Sequence, residues 1–182
     1  MHLETERLVV RPWRHDEGPR LFDILSRVEV MKWLGDGEPR LVKTVGEAHE
    51  RIDRYNHERA DPPLGVWAVE RKEDGVVAGT ALLLTLPNDE HGEVEIGWHL
   101  HPGSWGHRYA PEAATAILDR GFAGGLAEIN AVTHLTNARS MAVCSRIGME
   151  HRGITHRWYA EPSQHYVITR EQWAARQAAP SG

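Results

Sequence analysis

The 182-residue chain has a single cysteine, Cys144. One thiol excludes an internal disulfide and a cysteine-based zinc cluster, and a reducing cytoplasm is the compartment it suggests. The chain has no long apolar run. Its longest, Val76 to Leu86, is far short of the roughly 20 residues that cross a bilayer, so no membrane partner is expected. The opening MHLETERLVVRPW interleaves charges with apolar residues and is not a signal peptide. Positive charge is not in excess either. Lys and Arg number 21 against 26 Asp and Glu, a net charge of −5, which argues against nucleic acid as a partner and is compatible with a cationic or amine ligand. Internal repeats, linker-like breaks and low-complexity segments are absent, so residues 1–182 are expected to form one domain. Histidine, at twelve, and tryptophan, at seven, are plentiful.

Periodicity predicts a mixed α/β order, βααβββαβαββ. Arg7 to Arg11 alternates as a strand. Asp16 is the expected N-cap of a helix over Glu17 to Ser26, and a short helical piece over Val28 to Leu34 follows. Thr44 with Glu47 forms a capping box for a helix to about Arg59, closed by Asp61-Pro62-Pro63. Val66 to Glu70 and the apolar Val76 to Leu86 read as strands joined at Glu73-Asp74-Gly75, the second of them central. In Gly92 to His101, Val94, Ile96, Trp98 and Leu100 share one face. Glu93, Glu95, Gly97, His99 and His101 share the other. Helices from Pro111 to Gly124 and from Asn137 to Ile147 flank a strand at Glu128 to His134. Met149 to Tyr159 and Tyr166 to Ile168 predict a last hairpin. Thr169 and Gln172 cap a terminal helix, and residues 178–182 form a frayed tail.

The stretch from Gly92 to Gly125 is the most informative. A strand feeds a helix through the glycine-marked turn Gly103-Ser104-Trp105-Gly106-His107-Arg108-Tyr109-Ala110. Unpaired N–H groups at such a helix start suit a phosphate or pyrophosphate. Taken with Leu3 to Arg11, Glu95-Ile96-Gly97-Trp98, Asn137-Ala138-Arg139-Ser140, Gly148-Met149 and Tyr166 to Trp173, the chain resembles the GNAT superfamily of N-acetyltransferases. The nearest branch is that of the ribosomal-protein N-terminal acetyltransferases. The resemblance implies a mostly antiparallel central sheet with a splayed strand pair, flanked by helices. It also implies acetyl-CoA as cofactor and a primary amine as acceptor, joined by direct transfer in a ternary complex. The family's pyrophosphate loop, Q/R-x-x-G-x-G/A, falls on Trp105, Gly106, His107, Arg108, Tyr109 and Ala110. Trp105 replaces the Gln/Arg, and Arg108 replaces a glycine that lets the backbone approach the phosphates. The guanidinium of Arg108 offers compensation.

Acetylating an amine requires a base, donors for the developing oxyanion and help for the departing thiolate. Glu95 is the first candidate base, with Glu93 and His99 as alternatives; a plain solvated strand residue is the competing reading of Glu95. The matching positions for backbone oxyanion donors are Gly97, Trp98 and His99. Gly97 inside a strand suggests a bulge or close ligand approach, or simple packing. Cys144 stands where many family members place a tyrosine, and Ser140, one turn earlier, is the better donor to the leaving sulfur. Asn137 matches an asparagine that bonds the pantetheine arm, or is an ordinary cap. Acceptor choice is expected from Val28 to Val45 and Arg152 to His165, with Trp33, Asp36, Glu38, Trp158 and Tyr159 as candidates. The acceptor is a protein N-terminal α-amine or a small-molecule amine. Two alternatives remain open: a non-catalytic acyl-CoA-binding or regulatory module, and a metal-dependent hydrolase on His99 and His101, for which no ligand set of known spacing is present. Exposed strands at the sheet's end allow a homodimer.

Overall fold

A computed structural model describes residues 2–57 and 62–178. Eight strands form one sheet: β1 (Leu3–Glu4), β2 (Leu8–Arg11), β3 (Gly65–Arg71), β4 (Val77–Thr85), β5 (Val94–Leu100), β6 (Glu128–His134), β7 (Glu150–Thr155) and β8 (Ser163–Thr169). Six helices join them: α1 (Gly18–Leu25), α2 (Val28–Met31), α3 (Val45–His57), α4 (Tyr109–Ala123), α5 (Ala138–Arg146) and α6 (Arg170–Ala178). The strand order is β1-β2-β3-β4-β5-β6-β8-β7. Every neighbouring pair is antiparallel except β5 and β6, which are parallel and meet only at Glu95 and Asn130. The sheet therefore splays where the resemblance implied.

The two faces of β5 divide as the alternation predicts. Val94, Ile96 and Leu100 join one core with α4, α5 and α6, and the opposite face of the sheet carries α1 and α3 on a second core around Leu21, Ile24 and Ile52. β4 is central and largely buried. Several caps are as expected. Thr169 and Gln172 exchange both hydrogen bonds of a capping box. Thr44 Oγ1 accepts the Glu47 N–H, while the Glu47 carboxylate reaches one residue further back, to the Lys43 N–H.

Asp16 does not cap α1. Glu17 instead accepts the Arg14 N–H at 2.8 Å, closing a 3-10 turn over His15–Glu17 that leads into α1. Glu17 takes this position because it also receives the buried Arg11 guanidinium. The predicted strand to Tyr159 stops at Thr155, and β8 begins three residues earlier than expected, at Ser163. The expected ends of α3 near Arg59 and Asp61, and the tail after Ala178, lie outside the described residues. Among the described residues no helix is long and apolar enough to cross a membrane.

Candidate active site

The parting of β5 from β6 opens a cavity of about 1320 Å³ through the sheet. It reaches from the start of α4 and α5 on one side to α3 and the segment after α2 on the other. The sheet is held closed at its last pairing by Asn130, only 2% exposed. Its Nδ2 donates to Val94 O at 3.2 Å and its Oδ1 meets His165 Nε2 at 2.8 Å. Sequence reasoning did not find this clamp, because an asparagine in an apolar strand carries no signal until its partner strands are known.

Main-chain geometry determines which β5 amide faces the opening. His101 N–H donates to Ala78 O, and Glu93 O accepts from Leu86 N–H, so the odd-numbered residues turn their main-chain groups toward β4. Backbone groups alternate in direction along a strand, which turns the even-numbered residues toward β6. Consistently, Val94 O accepts from Asn130, and Leu100 O from the Trp105 indole at 2.9 Å. Beyond the single Glu95–Asn130 pairing, Trp98 and Leu100 thus turn their N–H groups to the gap, Trp98 being the one nearer Glu95, and Gly97 and His99 use theirs on β4. Gly97 carries no bulge: its register with Leu82 is continuous. A Cβ there would stand 3.1 Å from the Leu82 side chain, which fits the packing reading of this glycine.

Glu95 lines the cavity and accepts the Tyr159 hydroxyl at 2.7 Å. Burial pushes its carboxyl up from 4.5 to about 7, and the Tyr159 hydrogen bond acts in the opposite direction. The alternative bases are less suited. Burial, aided by the charge of Arg51, pushes His99 down to about 4. Glu93 is engaged by Arg157 Nη2 at 2.6 Å and Trp158 Nε1 at 3.2 Å, away from the cavity lining. Burial raises the Tyr159 phenol, and the neighbouring Glu95 charge adds to the effect.

The loop and α5 supply the other end. Trp105, Gly106, Arg108, Tyr109 and Ala110 line the cavity, whereas His107 lies outside the lining and stacks on Tyr109. Arg108 is the N-cap of α4 with φ of 64°, in the left-handed region. The glycine of the family pattern at this position therefore has a backbone reason. Asn137 caps α5 by accepting the Ser140 N–H at 3.2 Å, and both residues line the cavity. Cys144 does not. It is fully buried, and burial pushes its thiol up to about 12, so the position of the missing tyrosine belongs to the core.

The acceptor-side candidates separate. Trp33, Asp36, Glu38 and Tyr159 line the cavity. The Asp36 carboxylate accepts the Ala160 N–H at 3.0 Å, tying the segment after α2 to the β7–β8 connection. Trp158 is not in the lining; it is 2% exposed, packs edge-on against His165, and its carbonyl accepts from Asn88. Arg108, Arg139 and Arg146 stand by the loop and α5, while Asp36, Glu38 and Glu161 stand at the other rim with Lys32, and Arg51 lines that side from α3. Among the described residues no group of three or more His, Cys, Asp or Glu could hold a metal ion. His101 turns Nδ1 back to the Gly103 N–H instead of joining His99.

Residues 7–150 match the family model of the acetyltransferase (GNAT) domain. YnaD of Bacillus subtilis (strain 168), an uncharacterized N-acetyltransferase, is 29% identical over 182 residues, covering 95% of this chain and 99% of its own. The crystal structure of a GNAT-family acetyltransferase from Bacillus anthracis superposes with a TM-score of 0.78 at 23% identity, covering 94% of this chain and 99% of that one. RimL, a ribosomal L7/L12 alpha-N-protein acetyltransferase solved in complex with coenzyme A, gives 0.78 at 14% identity, with 93% and 98% covered. The two solved structures establish a shared fold.

Proposed function

We propose that this chain, which belongs to the GNAT acetyltransferase family, works as one acetyltransferase domain that moves an acetyl group from acetyl-CoA directly to a primary amine, both bound together in the cavity. The carrying observation is a carboxyl near neutrality, Glu95, on the same wall as the inward-facing Trp98 amide. The residues fit the donor. The start of α4, with Gly106 and Arg108, offers N–H groups and a cation to a pyrophosphate, and Arg139 and Arg146 extend the positive end. RimL, with the same fold, was solved with coenzyme A.

When bound, acetyl-CoA supplies an activated acetyl carbonyl. Glu95 takes a proton from the incoming ammonium, directly or through a water, exposing the nitrogen lone pair. Trp98 N–H donates to the carbonyl oxygen as negative charge grows there during C–N bond formation. Ser140 Oγ–H donates to the sulfur as the C–S bond breaks, and the second proton lost by the amine nitrogen passes through this hydroxyl, so that the thiol leaves and the serine is unchanged. The acceptor is a protein N-terminal α-amine or a small-molecule amine, selected by Trp33, Asp36, Glu38 and Tyr159.

Calorimetric titration of acetyl-CoA, with CoA for comparison, is expected to give micromolar binding, followed by amine-dependent thiol release. Absence of binding at millimolar ligand overturns the reading. The loop makes a separable prediction. Arg108→Glu should weaken acetyl-CoA binding about tenfold, the scale of one charge-assisted hydrogen bond. Arg108→Gly should raise thermal stability, since it removes about 1 kcal/mol of left-handed strain. Unchanged affinity in Arg108→Glu would mean that the guanidinium does not face the phosphates.

A further inference from the structure

Two polar groups that the catalytic steps do not use line the acceptor side, and a third lies beside them. His99 is 8% exposed, lines the cavity, and leaves Nε2 buried without a hydrogen-bond partner. Thr80, fully buried, pairs directly with His99 across β4 and β5, and its Oγ1 is likewise unpartnered. Directly opposed residues share a sheet face, so the two side chains are neighbours. Arg51 on α3 lines the same cavity with Nε buried and unpartnered. Its charge is close enough to lower the His99 pKa.

Unmade hydrogen bonds of buried groups cost free energy; Arg51 and His99 line the cavity, where a ligand can make theirs, and Thr80 stands beside His99 outside the lining. The donor inventory specifies the chemistry of that ligand. A guanidinium only donates, a hydroxyl can donate, and a neutral imidazole donates from Nε2 in one tautomer. An oxyanion only accepts, and it also neutralises the arginine. A water molecule would supply no counter-charge.

We propose that Arg51 and His99, with Thr80 beside His99, form an oxyanion subsite, and that the natural acceptor is an amine that also carries a carboxylate or phosphate. His99 follows Trp98 on the strand with its side chain on the α3 face, so an anion held there is within reach of a flexible chain of several carbons from the nitrogen attacking beside Trp98. The inference rests on the transfer reading above, and it gives His99 a binding role on the acceptor in place of a base.

The test compares kcat/KM for hexylamine, hexamethylenediamine, aminohexanoate and aminohexyl phosphate, with calorimetric binding of each to the CoA-loaded protein. An anionic amine is expected to exceed hexylamine at least tenfold, and the better of the two identifies carboxylate or phosphate. Arg51→Gln should lower its kcat/KM by about 10- to 100-fold, the scale of a hydrogen bond to a charged group, and lower that of hexylamine far less. Arg51→Lys should recover part of the preference. Anion binding that depends on Arg51, without acetyl transfer, would support the subsite and overturn the transfer reading. Transfer with no anion preference, a preference for the diamine, or an equal loss on all amines in Arg51→Gln would overturn the subsite and leave a buried water as its occupant. If Arg51→Gln does not fold, the wild-type ratio and Arg51→Lys decide.

Discussion

Glu95→Gln is expected to lower kcat by about 10²- to 10³-fold, within the range for loss of a general base, while leaving acetyl-CoA affinity unchanged. The pH dependence is the sharper readout. With the carboxyl near 7, wild-type kcat should rise as pH increases through 7 and level off above it. Glu95→Gln should remove that limb. Tyr159→Phe should keep it and move it upward, because the hydroxyl that favours the ionised carboxylate is lost. An unchanged limb in Glu95→Gln would dismiss Glu95 as the base.

The same shift carries a cost in stability. The folded-state value lies above the unfolded value, so protons bind the folded protein more tightly. The associated stability is complete below about 4.5 and is lost as pH rises through 7. Over that window the loss amounts to about 3 kcal/mol. Glu95→Gln should therefore unfold at a higher temperature than wild type at pH 8, and the two should converge at pH 5. A catalyst made inactive and more stable by one isosteric change is the signature of a base held against its solvation.

Arg11→Ala is expected to cost about 3–5 kcal/mol, as when one member of a buried ionic cluster is removed. For a chain of this size that lowers the melting temperature by roughly 10 °C. Arg11 is 4% exposed. Its Nε donates to Glu70 Oε2 at 2.7 Å on β3, and its Nη1 donates to Glu17 Oε2 at 2.9 Å in the turn before α1. The guanidinium thus ties β2, β3 and the entry to α1 together, and α1 packs against α3, the wall that carries Arg51. Loss of Arg11 leaves two carboxylates facing each other with little water. Combining Arg11→Ala with Glu17→Gln and Glu70→Gln should restore part of the stability. Urea unfolding measures both. A loss below about 1 kcal/mol would place the cluster among solvent-screened surface pairs.

Much of this was legible before folding. The period-2 alternation of Val94 to Leu100 assigned Glu95, Gly97 and His99 to one face, because side-chain direction in a strand depends on the local backbone alone. The helix starts at Thr44, Asn137 and Thr169 were likewise readable, since a cap is made within four residues. Asp16 failed as a cap because Glu17 answered to Arg11 as well as to its own turn. Trp158 and Tyr159 are neighbours of opposite fate: one is core, the other touches Glu95, and their side chains gave no basis for choosing. Arg51 had no sequence signal at all, being one charged residue among many on an amphipathic helix.

The sequence by itself determined the strand and helix pattern, the strand–loop–helix that starts at Gly92, and the carboxylate on the face that becomes the cavity wall. These depend on interactions within a few residues. Only the tertiary structure decided that the Trp98 amide turns to the opening, that burial pushes the Glu95 carboxyl up, that Cys144 is core, and that Arg51 and His99 line one side of the cavity with buried, unpartnered nitrogens. Each of these depends on which distant strand or helix removes water from a group or supplies its partner, and neighbours in sequence carry no record of that.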